Sequence, residues 1–481
     1  MKRAKKLYIL LGVLVLVCAA TFILSRMEEK QEQIKNSGET ILSLDASTVT
    51  ALSWEYDEES LAFHKDGVWI YDGDEDFPVS EDKINELLGG FENLGAAFII
   101  EDVEDYGQYG LEEPSCTIDI ETEDESYEIK LGDFSQMDSQ RYLSLGDGNV
   151  YLVTSDPMEL YEVTIEDMIE NDTVPDFEKV SQIKVEGVDD YTINFDDEST
   201  DSPCEDDVYF TTLDGSVLPL DTYRVESYLD VIGSLELKDY MTYTADNVFL
   251  ESYGLDDPEL TVTVDYSYED DDGEEVFDSF TIAVSRSPED RAAAEAKEAE
   301  EAEDEDVQEE EEDAEQIPAY LRVGDSQIIY EISQEKFEAL MEAARDDLRH
   351  TEVFTADFDQ VTGIDLSLDG QDYSMLYEQE EDEDEGVWMY NEEELNISAL
   401  QSAIEGLRSE SFTGDKPASD AKEEISLTIY LDNEYFPQIE LVFYRYDGSD
   451  CLCLVDGVPT SLVSRADVVE LIEAVNAVIL N

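Results

Sequence analysis

Beyond residue 45, apolar and polar residues alternate with a period of two through most of the chain, the spacing of half-buried β-strands. VTALSWEY (49–56) and SLAFHKD (60–66) open the pattern, and the aromatic segment GVWIYD (67–72) follows. The period then lengthens to that of an amphipathic helix in SEDKINELLGGFENLG (80–95), with Ser80 as N-cap and acids in the first turn. Alternation resumes between 96 and 154, and DPMELYEVTIEDMI (156–169) reads as a closing helix. The order then recurs. SQIKVEG and DYTINFD (181–196) and DVYFTTL (207–213) precede a helical DTYRVESYLDVIGSLEL (221–237). Further strands run to QIIYEIS (327–333), and QEKFEALMEAARDDLR (334–349) closes the series. A third, more divergent pass carries GVWMYN (386–391), the helix ISALQSAIEGLRSES, three more alternating segments and a terminal ADVVELIEAVNAVIL.

This self-similarity predicts three tandem α+β repeats, over 45–178, 179–352 and 353–481, each a mostly antiparallel sheet covered on one face by helices. Within the second, residues 286–316 hold 16 acidic and 3 basic residues. Such like-charge density keeps the insertion solvated, either disordered or as a frayed helix.

One segment has no periodicity at all. Leu7–Leu24 is an 18-residue apolar run without a charge, preceded by Lys2, Arg3, Lys5 and Lys6. A helix of that length approaches the hydrocarbon thickness of a bilayer, and the basic cluster places the N-terminus inside. The expected topology is a cytoplasmic tail (1–6), a single transmembrane helix (7–24), a polar stalk (27–44) and the remainder outside the cytoplasm. A cleaved signal peptide, or a lipoprotein through Cys18, gives the same placement of the remainder.

The two earlier repeats share a sharper mark. Tyr109-Gly110-Leu111 with Pro114 and Tyr253-Gly254-Leu255 with Pro258 are nearly identical, and each follows an aromatic strand and a helix. DKPASD (415–420) stands at that place in the third repeat. Together with the G-V-W-x-Y pattern at Gly67–Tyr71 and Gly386–Tyr390, these motifs resemble the bacterial domain-of-unknown-function family numbered four-three-four-zero. Its members pair an N-terminal membrane helix with such repeats and are often encoded beside ABC-type transporter subunits. The resemblance implies an accessory role near a transporter and no catalytic residue.

Charge narrows the partners. The chain has 125 acidic and 27 basic residues among 481, a formal net charge of −98. A phosphate backbone repels such a surface, which excludes nucleic acid. A basic partner, divalent cations or a simply soluble, self-repelling surface all remain compatible. Five cysteines (18, 116, 204, 451 and 453) include no CxxC, and only two histidines exist, His64 and His350. That removes most zinc-site and His-based catalytic schemes, since each needs His at defined positions. No cofactor motif is present, and the sequence sets no oligomeric state.

The remaining candidates read as structure. The Tyr-Gly-Leu motifs supply a turn, a core plug and a fixed approach to the next strand. Trp69 and Trp388 lie on apolar strands as packing residues, with a stacking platform as the functional alternative. Asp72, Asp74 and Asp76 space like a calcium loop, but Phe77 and Lys83 stand where glycine and glutamate are needed. The run Glu380–Glu385 reads as another solvated acidic turn. The leading expectation is a non-enzymatic binding or scaffold protein accessory to an ABC-type transporter. Two alternatives are a wall- or polysaccharide-processing enzyme with a carboxylate pair and a cation-loaded structural surface protein.

Overall fold

Strand alternation becomes sheet throughout the computed structural model, which describes residues 39–101, 103–137, 139–213, 215–303, 317–379 and 386–479. The chain divides into two compact units, Met1–Asn171 and Asp172–Asn481. The first holds one nine-stranded sheet among its described residues and the second holds two.

In the first unit the strands are β1 (Glu39–Leu42), β2 (Val49–Tyr56), β3 (Glu59–Asp66), β4 (Val68–Tyr71), β5 (Leu94–Ile100), β6 (Cys116–Thr122), β7 (Ser126–Ser135), β8 (Gln140–Ser144) and β9 (Val150–Val153). Their order is β1-β5-β9-β8-β7-β6-β2-β3-β4. Two antiparallel meanders, β2–β4 and β6–β9, are thus joined by the β2–β6 pair, where Leu52 faces Ile120 and Trp54 faces Ile118. All four side chains are buried. The helix Glu81–Gly89 leaves the first meander, and β5 returns between β9 and the edge strand β1.

The second unit repeats this plan twice. Its first sheet comprises β10 (Lys179–Glu186), β11 (Tyr191–Phe195), β12 (Tyr209–Leu213), β13 (Ser216–Pro219), β14 (Tyr240–Thr242), β15 (Leu260–Glu269), β16 (Glu275–Ser285), β17 (Ala319–Val323) and β18 (Ile329–Ile332). Their order, β13-β12-β11-β10-β15-β16-β17-β18-β14, has the same central pairing of the two meanders, but the first meander has four strands and the returning β14 is the edge, whereas β1 lies outside β5 in the first sheet. The next sheet comprises β19 (Val361–Leu368), β20 (Gln371–Glu378), β21 (Val387–Tyr390), β22 (Glu393–Leu395), β23 (Ser409–Phe412), β24 (Glu423–Leu431), β25 (Gln438–Arg445), β26 (Asp450–Val455) and β27 (Val458–Ser464). It follows the same path, β22-β21-β20-β19-β24-β25-β26-β27-β23. Divergence of sequence in the third repeat has therefore not altered its topology.

Helices serve these sheets. Ser80 caps Glu81–Gly89 through the Lys83 N–H at 3.4 Å, and the helix buries Ile84, Leu87 and Leu88. Asp221 caps Thr222–Gly233, which buries Val225, Tyr228, Leu229 and Ile232. In the third repeat, Leu400 and Ile404 from Ser398–Glu405 join Val468, Leu471 and Val475 from Arg465–Ile479 over Ile364, Leu427, Ile429 and Phe443 of the sheet. Period-two and period-3.6 apolar faces meet in one core, which is why neither is stable alone.

Several expectations need correction. Of the expected α+β architecture, the three repeats of mostly antiparallel sheet are present, but their helices are short and subordinate, and among the described residues no membrane helix heads them. Leu7–Leu24 lies outside the described residues, and among the described residues no helix is long and apolar enough to cross a membrane. The longest, Pro288–Glu303, is densely charged, and Arg465–Ile479 carries Asp467, Glu470 and Glu473. Single-pass anchoring, and the location outside the cytoplasm drawn from it, are therefore unsupported. The stalk assigned to 27–44 ends early, because Glu39–Leu42 pairs with β5 as an edge strand.

The helix expected over 156–169 is only Met158–Tyr161 and a 3-10 turn, Ile165–Met168. Thr164 and Asp167 form a capping box that starts a new turn and breaks the old one. Likewise Gln334–Met341 stops early, and the Asp347 carboxylate takes the Ala344 N–H at 3.0 Å. Of the two forms expected for the insertion, Pro288–Glu303 takes the helical one, and 304–316 lie outside the described residues.

Gly110 and Gly254 have φ of 70° and 72°. A Cβ on Gly110 would stand 2.5 Å from the Asp133 carboxylate, and one on Gly254 would stand 2.5 Å from the Arg286 carbonyl. Gly273, at φ 77°, has nothing within 4 Å. Gly273→Ala is expected to cost about 1 kcal/mol, the left-handed penalty alone. Gly254→Ala should cost roughly 2–4 kcal/mol, strain and overpacking together. Urea unfolding of the two variants side by side measures the difference, and equal losses would refute the steric account.

Candidate functional site

The Tyr-Gly-Leu segments sit where the chain turns from the returning strand, β5 or β14, into the second meander. In the first repeat the 3-10 turn Gly107–Tyr109 ends on Gly110, and the Tyr109 ring packs on Tyr142 at 4.9 Å. Leu111 is buried, and a Cβ on Gly132 of β7 would stand 2.2 Å from the Tyr109 carbonyl. Pro114 is half-buried just before β6. In the second repeat the helix Asn247–Ser252 runs into Tyr253, whose ring meets Tyr320 at 4.4 Å. Leu255 is buried and Pro258 half-buried before β15. Trp69 is buried in β4, with the Lys65 ammonium 5.7 Å above its ring. Trp388 is half-buried against Tyr377 and Phe358. The structure thus distributes these ten residues over three sheets and does not gather them into one site. In the Asp72–Asp76 turn, Asp76 N–H donates to Asp74, and Phe77 is buried against Tyr71.

Beside the second motif lies an ion cluster that the sequence did not announce. Glu259 accepts from the Arg286 guanidinium at 2.6 Å and from the Arg286 backbone N–H at 2.8 Å. Arg291 lies 3.7 Å away on the same carboxylate and donates to the Asp257 carbonyl at 3.0 Å. Both arginines come from the start of the acidic insertion, which pins that end of it to the motif loop. Burial alone would raise the Glu259 pKa. The Arg286 hydrogen bonds and the two positive charges outweigh burial and hold it below the usual glutamate value.

Among the concave surfaces of the second unit, two bear on binding. A groove of about 920 Å³ lies on its first sheet, with Phe177, Phe195, Tyr209 and Leu229 among its lining. Asp176, Glu178, Asp197, Glu226 and Asp230 also line it, against a single cation, Lys179. A smaller cavity of about 370 Å³ lies between the two sheets, lined by Pro203, Val217, Arg349, Phe412, Phe436 and Ile439 among others. The Arg349 guanidinium stacks 3.7 Å from the Phe412 ring centroid, bridging the two repeats.

On the wall of that cavity is His350. Its Nε2 lies 2.8 Å from Asp207 Oδ1, and its Nδ1 lies 3.9 Å from Asp221 and 4.0 Å from Glu352. Cys204 completes a trio with Asp207 and His350 whose donor atoms all lie within 4.8 Å of one another. Burial alone would depress the His350 pKa. The Asp207 hydrogen bond and charge, with Asp221 and Glu352 behind, lift it above the ordinary histidine value. Burial pushes the Cys204 thiol up to about 11. Sequence reasoning missed this cluster because Cys204 and His350 are distant in the chain and neither falls in a spaced motif.

Residues 69–214 match the family model described as "Domain of unknown function (DUF4340)". The matched stretch runs from β4 to the end of β12, about one repeat, and is out of phase with the sheets. No curated protein and no solved structure matches the chain.

A depressed Glu259 pKa stabilises the fold above the ordinary glutamate value, and that contribution disappears as pH falls through the folded-state value. Glu259→Gln should therefore lower the melting temperature at pH 7. The gap to the parent chain should narrow steadily below about pH 4.5. Thermal scans between neutral and strongly acid pH test this, and a gap that stays constant would refute it.

Proposed function

We propose that this chain, which carries a DUF4340 domain, works by binding and not by catalysis, as a scaffold accessory to an ABC-type transporter. The groove on the second repeat is the observation that carries the binding part. Its aromatic and aliphatic lining, with Phe195 42% exposed, would receive an apolar anchor. Its five acids would take basic residues flanking that anchor. A net charge of −98 would further speed the encounter with a basic segment and make it sensitive to salt. Tandem copies of one sheet design add surfaces in series, as scaffolds do. The transporter as partner rests on the family resemblance of the Tyr-Gly-Leu repeats.

Co-purification of the full chain with ABC-type transporter subunits from the same cells tests the reading. The complex should weaken as salt is raised. Phe195→Asp in the groove should weaken it by about tenfold or more, roughly 1.4 kcal/mol. Val458→Asp, at a 63% exposed position in the third repeat, should leave it unchanged. Isolation of the chain without any transporter subunit would sink the proposal.

A further inference from the structure

The donor set around His350 is chemically mixed, unlike the acids that cover the rest of the chain. Cys204 supplies a thiol, His350 an imidazole and Asp207 a carboxylate, and their donor atoms lie within 4.8 Å of one another. Sulfur and imidazole together select a borderline or soft dication over calcium or magnesium, which take oxygen alone. Zinc bonds of about 2.0–2.3 Å place neighbouring ligand atoms roughly 3–4 Å apart, so the trio closes on an ion with small side-chain adjustments.

The surroundings are arranged as a metal site's outer groups are. Asp207 is only 6% exposed, and its second oxygen takes the Ser202 hydroxyl at 2.6 Å, which fixes the plane of the carboxylate. The Asp207 N–H donates to the Cys204 carbonyl at 3.4 Å, which closes the turn that brings Cys204 and Asp207 together. His350 directs Nε2 at Asp207, inside the trio, and Nδ1 toward Asp221 and Glu352. At 3.9 and 4.0 Å these carboxylates are beyond hydrogen-bond distance, but their negative charge behind the second ring nitrogen raises the basicity of the imidazole. Asp221 is itself held as the N-cap of Thr222–Gly233, accepting from Tyr223 N–H at 3.0 Å. Three protein donors leave a fourth tetrahedral position for water, and His350 lines the 370 Å³ cavity.

We propose that Cys204, Asp207 and His350 bind a zinc-type dication, with Asp221 and Glu352 as the carboxylates behind the second ring nitrogen of His350. Cys204 and Asp207 belong to the second repeat, and His350 lies on the segment that leads into the third. The ion therefore ties the end of one repeat to the β11–β12 connection of the same repeat, at the cavity shared with the next. Binding displaces the thiol proton of Cys204 and requires an unprotonated Nε2 on His350.

Cobalt(II) is the probe, because carboxylates elsewhere on so acidic a surface also bind divalent ions but give no thiolate-to-cobalt charge-transfer band. Titration of the full chain should give that near-ultraviolet band, saturating at one cobalt per chain and abolished by one equivalent of zinc. Cys204→Ser should lose the band while keeping the parent's circular dichroism and melting temperature in chelator. His350→Gln should weaken binding more than tenfold, and Glu352→Gln by about tenfold. Cobalt uptake by the parent chain without the band would overturn the proposal whatever the variants do. So would a band that survives Cys204→Ser.

Discussion

One strand pairing holds each repeat together: the contact between the first strands of its two meanders. β2 with β6, β10 with β15 and β19 with β24 each join segments far apart in sequence. Leu52 faces Ile120, Ile183 faces Val264, and Ile364 faces Ile429, all buried. Because side chains alternate faces, a slip of one residue would turn this entire apolar set to solvent. The pairing closes a long loop, and the closure is affordable only because a helix and a returning strand inside that loop bury their own apolar faces on the same sheet. The Tyr-Gly-Leu segments are the last device before the closure. A left-handed glycine turns the chain, and a buried leucine fixes the point from which the second meander starts. In the third repeat, without the motif, β24 still reaches β19, so the motif refines the approach and does not create the pairing.

Charge distribution follows from the same constraint. With 27 basic residues against 125 acidic ones, the cations are few, and arginines are used inside the repeats. Arg141 donates to Asp156 at 2.8 Å and to the Gly132 carbonyl at 2.7 Å, beside the first motif. Arg286 and Arg291 do the same beside the second. Arg345 lies over the Tyr191 ring at 5.1 Å. Guanidinium groups suit these places because they bridge carboxylates and backbone carbonyls in a fixed plane. The consequence is a surface left to acids, and grooves such as that around Phe195 inherit a negative rim.

Local sequence determined the strands, the three-fold recurrence, the Ser80 cap, and the burial of Leu111 and Leu255, because each depends on periodicity or on a few adjacent residues. It also carried the family resemblance that residues 69–214 confirm. It misjudged helix length at 156–169 and 334–349, since a competing cap at Thr164 or Asp347 interrupts a pattern that periodicity alone would continue. It left the start of the insertion open between disorder and frayed helix, because composition does not see that Arg286 and Arg291 find Glu259.

Only the tertiary structure decided which distant groups meet. Cys204, Asp207, Asp221, His350 and Glu352 come together because β12 and its flanking loops pack against the segment that leaves the helix Gln334–Met341. Phe177 and Phe195 line one groove because the segment before β10 lies by the sheet at β11. Alternation of side chains is a local property and is written along the chain. The convergence of side chains from separate strands depends on register and on which loops close, and these are set by burial summed over the whole sheet.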